Sequence, residues 1–210
     1  MDLIQHVDHL VLAGSDLERG IDELDQRLGV RPALGGRHPN WGTWNASISL
    51  GPASYLEVIA PDPEADVPVA QRPEIFNHSG PFRLNGWIAK CRDIDTASKK
   101  AMEAGFDLGP VIEGSRSRPD GVTLHWRLTD PMHRNCDGIV PVLIDWGDTP
   151  HPASSAPSGC HLQELHLAHP DAEMATAILV AIGIPCQVQE AESPSLRAVI
   201  ATPAGVIELG

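Results

Sequence analysis

The chain has 210 residues, 42% of them hydrophobic and 20% charged, which is enough to build a sizeable core in one large domain or two small ones. Its 28 acidic residues exceed its 15 Lys and Arg residues and give a formal net charge of −13, which argues against nucleic acid and membrane surfaces as partners. The apolar runs are too short to span a bilayer, the four cysteines form no close pair, and the first residues lack the basic start of a signal peptide, so we expect a cytoplasmic location.

Three segments of the chain share one pattern, in which an apolar strand-like run is followed by an aspartate, an amphipathic stretch and a glycine. The aspartates are Asp16, Asp93 and Asp171, which lie 77 and 78 residues apart. The glycine follows each aspartate after a nearly constant distance of 13, 12 and 12 residues. Because two spacings repeat together, the pattern indicates three copies of one structural unit.

Each amphipathic stretch has the features of a helix. In the first stretch, Ser15 and Glu18 have the spacing of a capping box, and Gly29 is a typical helix end. Its apolar residues recur at helical spacing and are Leu17, Ile21, Leu24 and Leu28. The third stretch has a wider apolar face, so we expect its helix to be more buried.

Strand-like runs separated by turn residues follow each helix. In the first unit they lie at residues 33–36, 43–51 and 54–61, and in the second unit the clearest ones lie at residues 122–130 and 139–146. The sequence therefore predicts a β-α-β-β-β unit that occurs three times.

These units predict an α+β protein in which the first two units form one domain at residues 1–152. The two halves of this domain lie at about residues 1–62 and 83–152, with a surface excursion at residues 63–82 between them. A linker rich in Pro and Ser then leads to a third, divergent unit at residues 160–210.

In such a unit one face of the sheet packs against the helix, and the other face is left to line a hollow. Alternation along the first strand places His9 on the open face, and alternation along residues 54–61 places Glu57 there as well. On the run 43–51 the open face carries Asn45, a candidate substrate-binding residue. The residues expected against the helices are Leu10, Leu12, Leu56 and Val58. An imidazole and a carboxylate on neighbouring strands are a donor pair that suits a divalent transition metal.

Five motifs of the first two units stand in a recognisable order. The first unit contributes HVDHLVLAGSDLERGIDELDQRLGV, GGRHPNWGTWNASISLG and YLEVIAPDP, and the second contributes GPVIEGSRSRPDGVTLHWRL and PVLIDWGDTPHP. Together they resemble the glyoxalase-like domain of the vicinal oxygen chelate superfamily, over roughly residues 3–152. The resemblance implies that repeated βαβββ units form a half-open, curved, mixed sheet with the helices on its outer face.

The resemblance also implies a divalent metal ion in the hollow, held by side chains of the first and fourth strands of each unit. In the first unit these positions fall on His9 and Glu57. In the second unit the fourth-strand position falls on Asp145, whereas the first-strand position falls on Gly86, which has no donor side chain. The identity of the metal is left open, and so is a site without a metal.

Each of these residues also has an ordinary structural explanation. A histidine on an apolar strand, such as His9, is often a hydrogen-bonded core residue, and Glu57 would otherwise be an exposed carboxylate at a sheet edge. Asp145 has a second role open to it, as an ion-pair partner of Arg118 or Arg127.

Two loops are expected at the mouth of the hollow, and both carry cations. GGRHPNWGT contains Arg37 and His38, and SRSRPDG contains Arg116 and Arg118. Two cationic loops in an acidic protein favour a small anion such as a carboxylate or an enolate, although solvated turn residues fit the pattern too. Tryptophans near the motifs predict a partly apolar wall, so Trp126 joins the three arginines as a candidate substrate-binding residue.

Three functions remain open. The first is a metal-assisted enzyme, an isomerase or a lyase, in which the metal stabilises an enolate-like oxyanion of a small substrate with vicinal oxygens and Glu57 or His38 moves the proton. The second is a metal-free protein that sequesters a small aromatic or anionic compound, which Gly86 and the tryptophans favour. The third is an assembly role for the last unit, for example in a homodimer.

Overall fold

The fold follows the predicted repeat. A computed structural model describes residues 3–118 and 120–210, and in this part of the chain the order β-α-β-β-β occurs three times. The elements of the first unit are β1 (Val7–Ala13), α1 (Leu17–Leu28), β2 (Ala33–His38), β3 (Thr43–Gly51) and β4 (Ser54–Pro61). Those of the second are β5 (Arg83–Lys90), α2 (Ile94–Glu103), β6 (Val111–Ser117), β7 (Thr123–Thr129) and β8 (Val142–Asp145). Those of the third are β9 (His161–His169), α3 (Ala172–Ala181), β10 (Gln189–Glu190), β11 (Ser195–Thr202) and β12 (Gly205–Leu209).

The repeated aspartates begin the three helices. Asp16, Asp93 and Asp171 are the N-cap residues, and each carboxylate accepts a hydrogen bond at 3.1 to 3.2 Å from the backbone N–H three residues later. The cap of α1 is therefore Asp16 and not the predicted Ser15, because an ionised carboxylate also interacts favourably with the helix dipole. The predicted end at Gly29 is confirmed, since this residue adopts a left-handed φ of 70°.

The first two units share one curved sheet of eight strands. Its order is β2-β3-β4-β1-β5-β8-β7-β6, and the antiparallel pairing of β1 with β5 joins the two units. The edge strands β2 and β6 approach each other closely, because a Cβ on Gly36 would lie 2.5 Å from the carbonyl oxygen of Ser117. We call this approach the seam. The sheet is thus nearly closed, and the hollow inside it is more enclosed than the half-open sheet that the resemblance implies.

The two faces of the large sheet have different roles. The predicted helix-packed residues of β1 and β4 lie in the outer core with α1, which confirms the alternation. The inner face lines the hollow with a second apolar cluster that includes Val11 and Ile59. On β7, where alternation alone leaves the choice open, Leu124, Trp126 and Leu128 face the hollow.

Residues 63–82 are called the lid below, because a short turn within them packs against the hollow. The sequence predicts a surface excursion here, but a short 3-10 helix at Glu74–Phe76 turns two large apolar side chains inward. Ile75 and Phe76 are each only 4% exposed and belong to the apolar cluster of the hollow. Asn85 on β5 holds the turn by donating from Nδ2 to the carbonyl oxygens of Glu74 at 2.6 Å and Ile75 at 3.0 Å.

The third unit has a different strand order from the other two. Its sheet has the order β10-β9-β11-β12, so the last strand lies at the edge and does not pair with the first strand of the unit. Glu208, which the repeat aligns with Glu57, is exposed and pairs with Arg197 at 2.7 Å. Glu164 on β9 binds His166 at 2.6 Å. The carboxylates of the third unit therefore do not face an enclosed hollow.

The third unit packs on the outer face of the large sheet. Leu162, Leu165 and Leu167 of β9 belong to the same core cluster as the outer face of β1, together with buried residues of α3. None of the helices in the described residues is long and apolar enough to cross a membrane. The shared cluster predicts that all three units unfold together.

Truncation of Leu179 on α3 tests this cooperativity. Leu179 is fully buried, so L179A should lower the free energy of unfolding by about 2–5 kcal/mol. All five tryptophans lie in the first two units, so urea unfolding followed by tryptophan fluorescence detects the loss only if the units are coupled. The neighbouring Val180 is 56% exposed, and V180A should change stability by less than about 0.5 kcal/mol. An unchanged fluorescence transition in L179A would show that the third unit unfolds alone.

Candidate functional site

The hollow is a nearly filled cavity with aromatic walls and a polar floor. The volume in which the centre of a water molecule fits is only about 20 Å³, which leaves room for one or two waters. The side chains that line it are His9, His38, Trp41, Tyr55, Glu57, Phe76, Ile88, Arg116, Trp126, Leu128, Ile144 and Trp146. A substrate-sized molecule therefore enters only if part of the wall or the lid moves.

A bulge in β1 brings an aspartate and a histidine together at the floor. Val7 pairs with Ala89 of β5 and His9 pairs with the adjacent Ile88, so Asp8 is an extra residue without a partner on β5. His9 Nδ1 lies 2.8 Å from Asp8 Oδ1, and the imidazole stacks on Tyr55 with ring centroids 4.4 Å apart. The ring of His9 is thus held from two sides.

Asp8 is a buried carboxylate with three side-chain donors. Besides His9, it accepts hydrogen bonds from Trp146 Nε1 at 3.1 Å and from His151 Nε2 at 3.1 Å. Burial alone would raise the pKa of Asp8, but the hydrogen bonds from His151 and His9 outweigh burial and lower it to about 2. An ionised carboxylate only accepts, so His9 Nδ1 carries a proton and Nε2 is the nitrogen that remains for the hollow. Asp8, His9, Trp146 and His151 are called the Asp8 cluster.

Glu57 on β4 faces the same side as His9. Its Oε2 lies 3.7 Å from His9 Nε2, and both side chains are almost completely buried. Its Oε1 accepts a short hydrogen bond from Asn45 Nδ2 on β3. Because a carboxylate needs a donor, this contact also fixes the orientation of the Asn45 amide, whose Oδ1 has no hydrogen-bond partner among the described residues.

His38 is a second buried imidazole on the wall of the hollow. Its Nδ1 lies 3.1 Å from Thr43 Oγ1, and the ring approaches Trp41 and Trp126 with centroids 5.8 and 6.2 Å away. Burial lowers the pKa of His38 to about 4, against the opposing attraction of Glu57. His38 is therefore neutral at pH 7.

Arg116 on β6 is the cation of the hollow. It is only 5% exposed, and its Nη1 has no hydrogen-bond partner among the described residues. The other predicted site residue on this side is Trp126, which is 7% exposed and packs against Trp146 with ring centroids 5.3 Å apart. The structure thus brings together six of the predicted residues, which are His9, His38, Asn45, Glu57, Arg116 and Trp126.

Three predicted site residues lie outside the hollow. Arg37 forms ion pairs with Asp62 and Glu64, and Arg118 forms one with Asp120 at 2.7 Å. Asp145 follows Ile144, which lines the hollow, so alternation turns the carboxylate of Asp145 to the other face. There it accepts a hydrogen bond at 2.9 Å from the backbone N–H two residues later.

The strand register gives the counterparts of His9 and Glu57 in the second unit. Val11 and Ile88 each lie five residues before the N-cap aspartate of their unit. On the fourth strand, Glu57 pairs with Val11 in the first unit, and Val142 pairs with Ile88 in the second. Val142, not Asp145, is therefore the counterpart of Glu57. The first-strand counterpart of His9 is Gly86, where a Cβ would lie 2.6 Å from Ile75 Cδ1 of the lid.

The side chains present do not fit the divalent metal that the family resemblance implies. Protein metal sites of this kind use three or four donors, and although His38 also lines the hollow, it does not form a metal-holding group with His9 and Glu57. Within residues 3–118 and 120–210, no group of three or more His, Cys, Asp or Glu side chains is arranged to hold a metal ion. The two positions of the second unit carry a glycine and a valine, so the missing donors cannot be supplied by a change of rotamer.

Two side chains of the Asp8 cluster, Asp8 and His151, were missed by sequence reasoning. Strict alternation assigns Asp8 to the helix side, and only the bulge brings it beside His9. His151 lies in the linker after β8, far from β1 in sequence. A buried-strand aspartate directly before a histidine was the one available signal, because a charge in an apolar strand requires a partner.

Comparison with known proteins places this architecture in a family. The sequence profile of the Glyoxalase-like domain family matches residues 7–183. The chain belongs to this family. The match confirms the resemblance found in the motifs, and it extends through β9 and α3 of the third unit. No curated protein matches the sequence.

Solved structures share the fold of this glyoxalase-like chain at low identity. A hypothetical protein from Staphylococcus aureus is 14% identical with a TM-score of 0.61, and the match covers 96% of this chain and 84% of that one. Methylmalonyl-CoA epimerase from Streptomyces coelicolor, in complex with 2-nitronate-propionyl-CoA, is 17% identical with a TM-score of 0.46 and coverages of 70% and 98%. The epimerase from Mycobacterium tuberculosis is 16% identical with a TM-score of 0.42 and coverages of 69% and 88%. Identities this low relate the folds only.

The pKa of His38 predicts a specific loss of stability in acid. The unfolded histidine binds a proton near pH 6.5 and the folded one near pH 4, so the stability present above about pH 6.5 falls as the pH drops towards 4. Urea unfolding at pH 7.5 and 4.5 should show that His38→Gln loses on the order of 2 kcal/mol less stability than the wild type over this interval. The exposed His125 on β7 provides the control, and H125Q should match the wild type. Equal losses in the wild type and H38Q would contradict the buried, neutral imidazole.

Proposed function

We propose that this glyoxalase-like protein is an enzyme that transfers a proton on a small, oxyanion-forming substrate inside the hollow. The observation that carries the proposal is the hydrogen-bonded pair of Asp8 and His9 at the floor of an enclosed cavity. The first unit supplies the proton-transferring groups, and the second unit supplies most of the apolar wall. Isomerisation, epimerisation and elimination all begin with such a step.

His9 is the proposed base. A carboxylate that accepts the Nδ1–H fixes the tautomer and the ring orientation, and it stabilises the imidazolium that forms when Nε2 takes a proton. Asp8 can do this at neutral pH because it is ionised, with its pKa lowered to about 2. Trp146 and His151 donate hydrogen bonds to the Asp8 carboxylate, so protein groups fix the orientation of the base.

Glu57 is the proposed second acid–base group. It lies 3.7 Å from His9 Nε2, close enough for the two groups to act on one substrate carbon or on adjacent ones. Asn45 fixes the carboxylate from behind, as Asp8 fixes the imidazole. His38 is neutral near pH 7 and lies farther along the wall, so it suits a hydrogen bond to a substrate oxygen better than proton abstraction.

Among the described residues, the metal-assisted form of this activity has too few donors. His9 and Glu57 are the side chains that would contact a metal, and the corresponding positions of the second unit, Gly86 and Val142, add none. We therefore assign no catalytic step to a metal, and the proposed reaction depends on His9, Asp8 and Glu57 alone. Activity should then survive treatment with a chelator.

Hydrogen exchange in D2O tests the proposed base. Wild-type protein should exchange the acidic C–H of at least one compound in a panel of 2-oxo acids, 3-oxo acids, hydroxy acids and hydroxy ketones, as followed by proton NMR. His9→Gln should slow this exchange by about 100-fold or more, because a positioned base contributes a factor of this order. Asp8→Asn should slow the exchange by at least about tenfold, because the neutral amide no longer stabilises the imidazolium of His9.

The control is a histidine–carboxylate pair that lies outside the hollow. His166 binds Glu164 at 2.6 Å on the sheet of the third unit, so H166Q removes a similar pair without touching the site. It should exchange at the wild-type rate. Exchange that persists in H9Q would remove His9 as the base. Loss of exchange with chelator and its return with one added metal would replace this proposal by the metal-assisted reaction.

A metal-free binding function is the second candidate. The aromatic wall favours it, because the hollow is lined by the flat side chains of Trp41, Phe76, Trp126 and Trp146. This candidate is supported if compounds of the panel bind and quench tryptophan fluorescence but none exchanges protons. It is excluded as the sole function if exchange depends on His9.

A further inference from the structure

Arg116 is a buried cation that forms no ion pair with any carboxylate of the described residues. Its side chain makes no ion pair and no hydrogen bond with the described residues, although it is only 5% exposed. A buried charge without a partner costs several kcal/mol, so proteins seldom retain one unless it has a use. The other arginines of this region, Arg37 and Arg118, are more exposed and are paired with carboxylates.

Gly35 on β2 makes room for this cation. A Cβ on Gly35 would lie 2.6 Å from Arg116 Nη1 and 2.3 Å from Asn45 Oδ1, so any larger residue would press on both atoms. Both atoms are buried and lack hydrogen-bond partners in the described part of the chain. The structure thus places an unused donor and an unused acceptor near each other, at a position where only glycine avoids a clash with both.

Arg116 also lies where the hollow meets the outside. It lines the enclosed cavity and two surface grooves at the seam, of about 200 and 440 Å³. β2 and β6 are the two edge strands of the large sheet, and within the described residues they do not pair with each other. Arg116 is thus the residue that the hollow shares with both grooves.

We propose that Arg116, Asn45 and Gly35 form the binding subsite for a carboxylate that carries a hydroxyl group on the adjacent carbon. The carboxylate accepts hydrogen bonds from the Arg116 guanidinium, and the hydroxyl group donates to Asn45 Oδ1. The apolar part of the ligand then lies against Trp126 and Trp146. This inference rests on the proposed function, because it names the substrate class of the same hollow.

Calorimetric titration with matched probes tests the subsite. Mandelate and the smaller lactate have the carboxylate and the hydroxyl group, phenylacetate lacks the hydroxyl group, and mandelamide lacks the charge. At least one hydroxy acid should bind the wild type, and removal of either group should weaken binding by about fivefold or more. Asn45→Ala should remove the preference for mandelate over phenylacetate.

Variants of Arg116 separate binding from structure. Arg116→Gln should weaken hydroxy-acid binding by at least about tenfold, and Arg118→Gln, next to it on the outer side, should not. Gly35→Ala should also weaken binding, because its methyl group displaces both subsite atoms. The free R116L protein should melt at the same temperature as the wild type or higher, because the unpaired charge is gone.

Several outcomes would overturn the subsite. These are binding that R116Q leaves unchanged, no binding of either hydroxy acid to the wild type, and a strongly lowered melting temperature of free R116L, which would make Arg116 a structural residue. The subsite and the enzymatic function fail separately, because titration requires no turnover. Arg116-dependent binding without proton exchange would retain the subsite and reject the enzyme, and His9-dependent exchange with normal binding in R116Q would do the reverse.

Discussion

The buried carboxylate of Asp8 is the interaction on which the site depends. A charge that is 1% exposed requires partners, and its three donors come from β1, from the residue after β8 and from the linker to the third unit. The same contacts that satisfy Asp8 therefore fix His9, position Trp146 in the wall and tie the linker across the end of the hollow. The geometry of the candidate site and the tertiary structure both depend on this carboxylate, so a change at Asp8 affects both.

The two units of the large sheet have the same backbone but different inner faces. The first unit places His9 and Glu57 in the hollow, whereas the corresponding positions of the second unit are Gly86 and Val142. The side chain absent at Gly86 is replaced by Ile75 of the lid, which packs into that space. The repeat is thus asymmetric, because the first unit carries the imidazole and the carboxylate, and the second unit carries most of the apolar wall together with Arg116. The proposed ligand, with one anionic end and one apolar end, matches what the second unit contributes.

The sequence was sufficient to predict the repeat, the strand faces, and His9 and Glu57 of the polar floor, because these follow from local periodicity. It was not sufficient where geometry departs from regular alternation. The bulge at Asp8 moves that residue to the side of His9, and a count along the chain selected Asp145 although strand register selects Val142. Arg37 was indistinguishable from Arg116 in sequence, since the partner that neutralises it, Asp62, lies on another element. The seam was likewise invisible, because it joins β2 and β6 from different units.

The proposed anion subsite depends on how the charges of the hollow are arranged, because the protein as a whole has a net charge of −13. His38 is neutral because burial lowers its pKa to about 4, and Asp8 stays ionised while three donors satisfy its oxygens. Arg116 and Glu57 both line the hollow, but Glu57 binds Asn45 and forms no ion pair with the guanidinium. The field of Arg116 is little screened in a cavity with room for one or two waters. In the proposed subsite, a ligand carboxylate that pairs with Arg116 supplies the ion pair that this side chain lacks among the described residues.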